Sequence, residues 1–210
     1  MTKSLFATAY FAPAIQYSEY LKADKIAIEI HEHFPKQTYR NRTNIMTANG
    51  PFALSIPLAG RKNHSLTKDI KLSKAEDWKT LHWKTIENAY KRSPFFEYYE
   101  NKINKLYTSS NHSYLIDFNH EAEAIVEDIL KVSFVKENTK DFIEENNPNY
   151  KDLRLITPKN RELPKLITES SYLQVFADKY PYTPNLSILD VIFNLGPESI
   201  VHLKQMSLLV

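Results

Sequence analysis

Apolar and polar positions alternate with a period of two near the N-terminus and recur at helical spacing through the middle of the chain. Ser4 to Tyr10 is apolar and rich in β-forming residues, which predicts a first strand. Phe11-Ala12-Pro13-Ala14 breaks it, and Ile15, Tyr17, Tyr20 and Leu21 then fit one face of a short helix closed by Ala23-Asp24. Lys25 to Phe34 alternates again. Ile26, Ile28 and Ile30 point one way, and Glu29, His31 and His33 point the other. Strand, short helix and strand make a βαβ unit with parallel strands. Next, Thr43–Ala48 and Phe52–Leu58 flank Asn49-Gly50, a strong two-residue hairpin signal. Phe52, Leu54, Ile56 and Leu58 share the packed face, and Pro57 argues for an edge strand or a strand end.

From residue 73 the helical period takes over. Ser73 and Glu76 form a capping box, and the helix running to Arg92 stacks Trp78, His82, Ile86 and Tyr90, with Leu81 and Ala89 widening the stripe. Ser93-Pro94 starts a second helix whose apolar face is Phe95, Phe96, Tyr99, Ile103 and Leu106. Asn119 is expected to cap a third, carrying Ala122, Ile125, Val126, Ile129 and Leu130. Val135 to Lys151 is polar, with a break at Asn146-Asn147-Pro148-Asn149, and 152–156 has strand alternation. A helix from Asn185 or Ser187 ends at Gly196, and Pro197 opens the next.

The chain's 210 residues fit one domain, and neither disulfide nor metal is needed for a core of that size. There is no cysteine, so thiolate, zinc–cysteine and iron–sulfur chemistry are excluded. Only three glycines are present, at 50, 60 and 196, too few for a dinucleotide or P-loop phosphate cradle. The net charge of +2 argues against a nucleic-acid partner. No signal-peptide pattern and no apolar run approaching the ~20 residues of a membrane span is visible, so a cytoplasmic protein is expected.

Against that weak overall charge, Lys36-Gln37-Thr38-Tyr39-Arg40-Asn41-Arg42 holds three cations and no acid. Arg40 and Arg42 each offer a bidentate fork to phosphate or carboxylate, with Lys36 as a point charge and Gln37 and Asn41 to orient a ligand. The alternative is a set of structural ion pairs to Glu29, Glu97 or Asp190. His33, beside these cations, is the candidate acid or base. Glu29, His31 and His33 on one straight strand span about 13 Å, too wide for one ion, so no metal is expected. Tyr10, at the end of the first strand, is a ligand candidate because parallel sheets bind at the carboxyl ends of their strands. His82 is either a substrate contact or a hydrogen-bonded core histidine. No cofactor is implied.

Several stretches together resemble a known family. They are Ala9-Tyr10-Phe11-Ala12-Pro13 with Tyr17, Lys36 to Arg42, His82-Trp83, Ala89-Tyr90, Ser93-Pro94-Phe95-Phe96-Glu97-Tyr98-Tyr99, Gln174-Val175-Phe176, Pro184 to Ile188 and Phe193 to Glu198. The chain is similar in these to the WbqC-like family in its Bacteroidetes form, over nearly its whole length, with Ala12 where relatives often carry proline. The resemblance implies a place in surface-polysaccharide (lipopolysaccharide O-antigen) biosynthesis and assigns no catalytic residue. The opening also resembles that of HUP-type nucleotidyltransferases, although Ala14-Ile15-Gln16-Tyr17 stands where those enzymes carry H-x-G-H.

The expected protein is therefore an α/β fold, one WbqC-like domain over residues 1–210. A small mixed sheet, the βαβ unit plus the hairpin, precedes a helix-rich second half, with a HUP-like topology as a further expectation. The expected function is a transferase on an anionic nucleotide-sugar or acyl precursor, with a non-catalytic binding or assembly protein as the alternative. Metal-dependent catalysis is the weaker third reading.

Overall fold

The pairing that organises the molecule is the parallel match of its first two strands, with Leu5 opposite Ala27 and Phe6 opposite Ile28. The computed structural model describes residues 3–60, 64–75 and 77–209. Strand β1 (Lys3–Ala7), helix α1 (Ala14–Lys22) and strand β2 (Ile26–Glu29) form the βαβ unit. All four residues of β2 are buried, because a central parallel strand is covered on both faces. The second strand is shorter than its alternation predicts. Glu29 is fully buried, and its Oε1 accepts the His31 backbone N–H at 2.6 Å while Oε2 accepts that of Ile143 at 2.8 Å. These bonds satisfy the carboxylate and end the strand, so Glu29, His31 and His33 do not share one strand face.

Strands β3 (Arg42–Thr47) and β4 (Gly50–Ser55) form the hairpin as a separate antiparallel sheet. Thr47 pairs with Gly50, so Ala48-Asn49 forms the tip, one residue earlier than predicted, and Gly50 takes a φ of +95°. Leu54 and Ile56 are buried, whereas Phe52 is half exposed. Lys71 and Leu72 form isolated bridges to Tyr114 and Leu58.

Helix α2 (Trp78–Tyr90) starts at Asp77, whose side chain accepts the Thr80 N–H. The expected capping box involves Glu76, which lies outside the described residues. Trp78, His82, Ile86 and Tyr90 are all buried as the spacing requires, but Leu81 is 64% exposed. Helices α3 (Phe96–Thr108) and α4 (Leu115–Leu130) follow. Asn119 does not cap α4. It sits inside the helix, fully buried, and its Nδ2 donates to the Arg40 carbonyl at 2.8 Å and to Thr8 Oγ1 at 3.1 Å. A tertiary partner has replaced the cap.

The polar stretch after α4 supplies two strands, β5 (Lys136–Asn138), which periodicity does not predict, and β6 (Tyr150–Asp152), which ends where the expected 152–156 strand would begin. Both pair in parallel, giving the order β5-β2-β1-β6. A short helix α5 (Leu163–Leu166) leads into β7 (Ile167–Thr168), then α6 (Ile188–Leu195), α7 (Ser199–Gln205) and β8 (Ser207–Leu208), which pairs with β7. Ser187 caps α6 through the Leu189 N–H, and Gly196 closes it with a φ of +53°. Helix α6 is the central one, buried from Ile188 to Asn194 and touching α1, α3, α4, α7 and β3. Among the described residues no helix is long and apolar enough to cross a membrane.

Candidate functional site: a cleft at the carboxyl ends of the parallel strands

Taken in chain order, the four parallel strands lie third, second, first, fourth, so the order reverses between β1 and β6. Ligands of open parallel sheets bind outside the carboxyl ends at such a reversal, where the loops leaving neighbouring strands diverge. The loop leaving β2 returns across the end of β1: the Tyr10 N–H donates to the Tyr39 carbonyl at 2.9 Å, and Asn119 holds the carbonyl of Arg40. Arg154 follows directly on the other side, two residues after β6. Arg40 and Arg154 therefore stand at the ends of the two strands that flank the reversal.

Both arginines line a cleft of about 560 Å³, together with His31, Glu32, His33, Phe142, Glu145 and Lys159. Arg40 is only 5% exposed. Its Nε and Nη2 both reach Glu32 Oε1 at 2.6 Å, which leaves Nη1 outside the pair. Burial pushes the Glu32 carboxyl up and the Arg40 guanidinium down, each opposed by the other's charge. Arg154 forks onto Asp152, with Nη2 to Oδ2 at 2.5 Å, and its Nη1 donates to the Ile143 carbonyl. Its guanidinium also lies 5.7 Å from the centre of the Phe142 ring. Carboxylate partners thus fix the orientation of both guanidinium groups, and exposed Lys159 adds a third cation.

His33 is exposed on the rim, with Nδ1 2.9 Å from the His64 carbonyl. A carbonyl can only accept, so Nδ1 carries the proton and Nε2 of the neutral ring is left as an acceptor. His31 Nδ1 faces the Lys68 ammonium at 3.3 Å and is therefore the acceptor nitrogen.

The remaining cations of the basic stretch do not converge with Arg40. Lys36, Gln37, Asn41 and Arg42 line a neighbouring cavity of about 490 Å³ on the other side of the same loop. There Arg42 Nε donates to Ser55 Oγ at 3.2 Å, and Asn41 Nδ2 to the Ile56 carbonyl at 3.0 Å. Tyr10 and His82 line neither cavity. Tyr10 is completely buried, with its hydroxyl 2.9 Å from His82 Nδ1 and 2.5 Å from the Tyr107 hydroxyl. Burial pushes the His82 pKa down to about 4, only partly offset by a hydrogen bond to the Ser55 backbone. The core-histidine alternative describes its surroundings, and the ion-pair alternative describes Arg40, with Glu32 in place of the acids proposed from the sequence.

The sequence analysis places Arg154 in an alternating stretch but gives it no role in a site, and Phe142, Glu145 and Lys159 lie in loops that carry no period. Among the described residues no group of three or more His, Asp or Glu is placed to hold a metal ion. A model of the WbqC-like protein family matches residues 9–162. No curated protein and no solved structure matches the chain, so a HUP-like topology is not confirmed.

Proposed function

The chain belongs to the WbqC-like protein family, and on that premise we propose that it is a cytoplasmic transferase acting on an anionic small molecule in bacterial surface-polysaccharide biosynthesis. The substrate class is a nucleotide-linked sugar or acyl precursor. The observation that carries the reading is the placement of Arg40 and Arg154 across the strand-order reversal, in a cleft that also holds Lys159 and His33. Arg40 Nη1 and the Lys159 ammonium would contact the anion. Arg154 and Phe142 would supply a flat platform for a planar group. His33 Nε2, as the lone-pair nitrogen, would take a proton from an attacking hydroxyl or amine. Lys36, Gln37, Asn41 and Arg42 would meet the distal part of an extended ligand in the adjoining cavity. Tyr10 and His82 would support the site from behind, since the Tyr10 backbone anchors the loop that carries Arg40.

Calorimetric titration with a nucleoside-diphosphate sugar and with pyrophosphate tests this. Lys159→Glu is expected to weaken both by about tenfold or more, as loss and reversal of one charge contact of roughly 1.5–3 kcal/mol implies. His33→Ala should spare binding and abolish turnover. Unchanged affinity in Lys159→Glu would sink the site.

A second reading, a non-catalytic binding or assembly protein, is favoured by one feature of the cleft. Glu32 is committed to Arg40, and the ring of His33 is held by the His64 backbone carbonyl. A ligand that stabilises the protein yet never turns over would decide for that reading.

A further inference from the structure

A second cavity, of about 620 Å³, lies behind two segments that wall the cleft. Thr38 and Arg40 face the cleft, while Tyr39 between them lines the second cavity. Lys159 likewise faces the cleft, Pro158 the second cavity, and Thr157 both. Two separate stretches of chain, 38–40 and 157–159, therefore form one partition, and a ligand passing Thr157 would occupy both spaces.

The two spaces have opposite electrostatic character. The cleft carries Arg40, Arg154 and Lys159 against Glu32 and Glu145, whereas among the described residues no lysine, arginine or histidine lines the second cavity. Its carboxylate is Glu169, half-buried, with Oε2 accepting the Asn185 N–H at 3.0 Å and Oε1 taking the Tyr182 hydroxyl. Behind it the Tyr182 ring packs edge-on against Tyr172, whose hydroxyl donates to the fully buried Asp190 at 2.6 Å. Gln174 Nε2 also donates to Asp190 at 2.9 Å and Tyr90 hydrogen-bonds to it, so the partners of this carboxylate are all uncharged. Burial pushes both carboxyls up, and among the described residues neither carboxylate is paired with a cation. Carboxylates withdrawn from water without a counter-charge carry a desolvation cost that a ligand cation would offset. The walls are apolar, from Pro51, Phe52, Pro164 and Leu186, and amides come from Asn44 and Asn160. Such a lining suits a ring with hydroxyls on its edge and carbon on its face.

We propose that the second cavity takes an amine-bearing sugar ring whose ammonium pairs with Glu169, while the phosphate of the same molecule lies in the cleft. This rests on the anion-binding reading of the cleft and adds the substrate class: a phosphorylated amino sugar. The mixed ligand explains why a cationic and an anionic space share one wall.

Four probes separate the two claims in calorimetric titrations near neutral pH: glucosamine 1-phosphate, glucose 1-phosphate, N-acetylglucosamine 1-phosphate and inorganic phosphate. Glucosamine 1-phosphate is expected to bind about tenfold more tightly than the other two sugar phosphates, the value of one charge-assisted contact. Glu169→Gln, which keeps hydrogen-bonding groups for Asn185 and Tyr182, should remove that preference and leave phosphate binding unchanged. Lys159→Glu should weaken all four while preserving the preference. Equal affinity for the three sugar phosphates, or a preference that survives Glu169→Gln, would overturn the amine assignment and leave the anion site standing. Binding of none of the four overturns both. If Glu169→Gln fails to fold, the wild-type protein still decides. Its preference for the amine should decline as acid protonates Glu169, and a preference unchanged on acidification would refute the pairing.

Discussion

Acidification tests the buried row of Tyr107, Tyr10 and His82. His82 accepts a hydrogen bond from the Tyr10 hydroxyl at Nδ1, and burial lowers its pKa from the ordinary 6.5 to about 4. Between those two values the unfolded chain binds a proton at His82 and the folded chain does not. Stability from this group is therefore complete above pH 6.5 and is lost as the pH falls towards 4. At 1.36 kcal/mol per pH unit the difference amounts to about 3.4 kcal/mol, or roughly 7–14 °C in melting temperature for a chain of this size. Other groups also titrate in this range, so the informative quantity is a difference between two proteins. His82→Gln keeps an acceptor for the Tyr10 hydroxyl but cannot be protonated. Urea unfolding at stepped pH should show the wild type losing about 3 kcal/mol more than His82→Gln between neutrality and pH 4. Parallel losses in the two proteins would refute the reasoning, because His82 would then titrate alike in the folded and unfolded chains.

Three further outcomes follow from single contacts. Arg40→Ala leaves the Glu32 carboxylate without its cation and should cost about 3–5 kcal/mol in chemical denaturation. Replacing both partners by apolar residues, Glu32→Leu with Arg40→Met, should recover most of that loss, and failure to recover would mean that Arg40 stabilises by contacts other than the pair. Tyr10→Phe strands the Tyr107 hydroxyl and His82 Nδ1, and should lower stability by about 1–3 kcal/mol without altering phosphate binding. Gly196→Ala places a methyl group 2.4 Å from the Phe95 ring at a φ of +53°, and the clash and strain together should cost about 2–4 kcal/mol by thermal melting. Adding Phe95→Ala should relieve the clash alone, and full recovery would show that the backbone itself is unstrained.

The predicted transferase and the two-part ligand both depend on residues that differ in how far sequence reveals them. The basic stretch was visible because three cations without an acid are conspicuous in any chain. Its geometry was not. The loop divides its side chains between its two sides, so Arg40 enters the cleft at the strand ends while Lys36, Asn41 and Arg42 line the cavity beyond. Arg40 pairs with Glu32, only eight residues before it, rather than with Glu29, Glu97 or Asp190. Glu29 in fact binds backbone amides at the end of β2, and Asp190 is bonded to Tyr172 and Gln174.

Sequence by itself determined the elements whose burial repeats along the chain. The βαβ opening, the hairpin, the row Trp78-His82-Ile86-Tyr90 and the Ser187-to-Gly196 helix all follow from periods and caps, because those signals are local and each residue reports the face it buries. Tertiary structure alone decided the rest. Lys136–Asn138 and Tyr150–Asp152 become strands only because β2 and β1 offer them free edges, and no local preference of such polar triplets would select that state. Asn119 left the cap that its residue type favours because Thr8 and the Arg40 carbonyl, distant in sequence, satisfy its amide inside the core. The partition between the cationic cleft and the Glu169 cavity arises in the same way. Its two walls lie more than a hundred residues apart, and only the reversal of strand order brings them together.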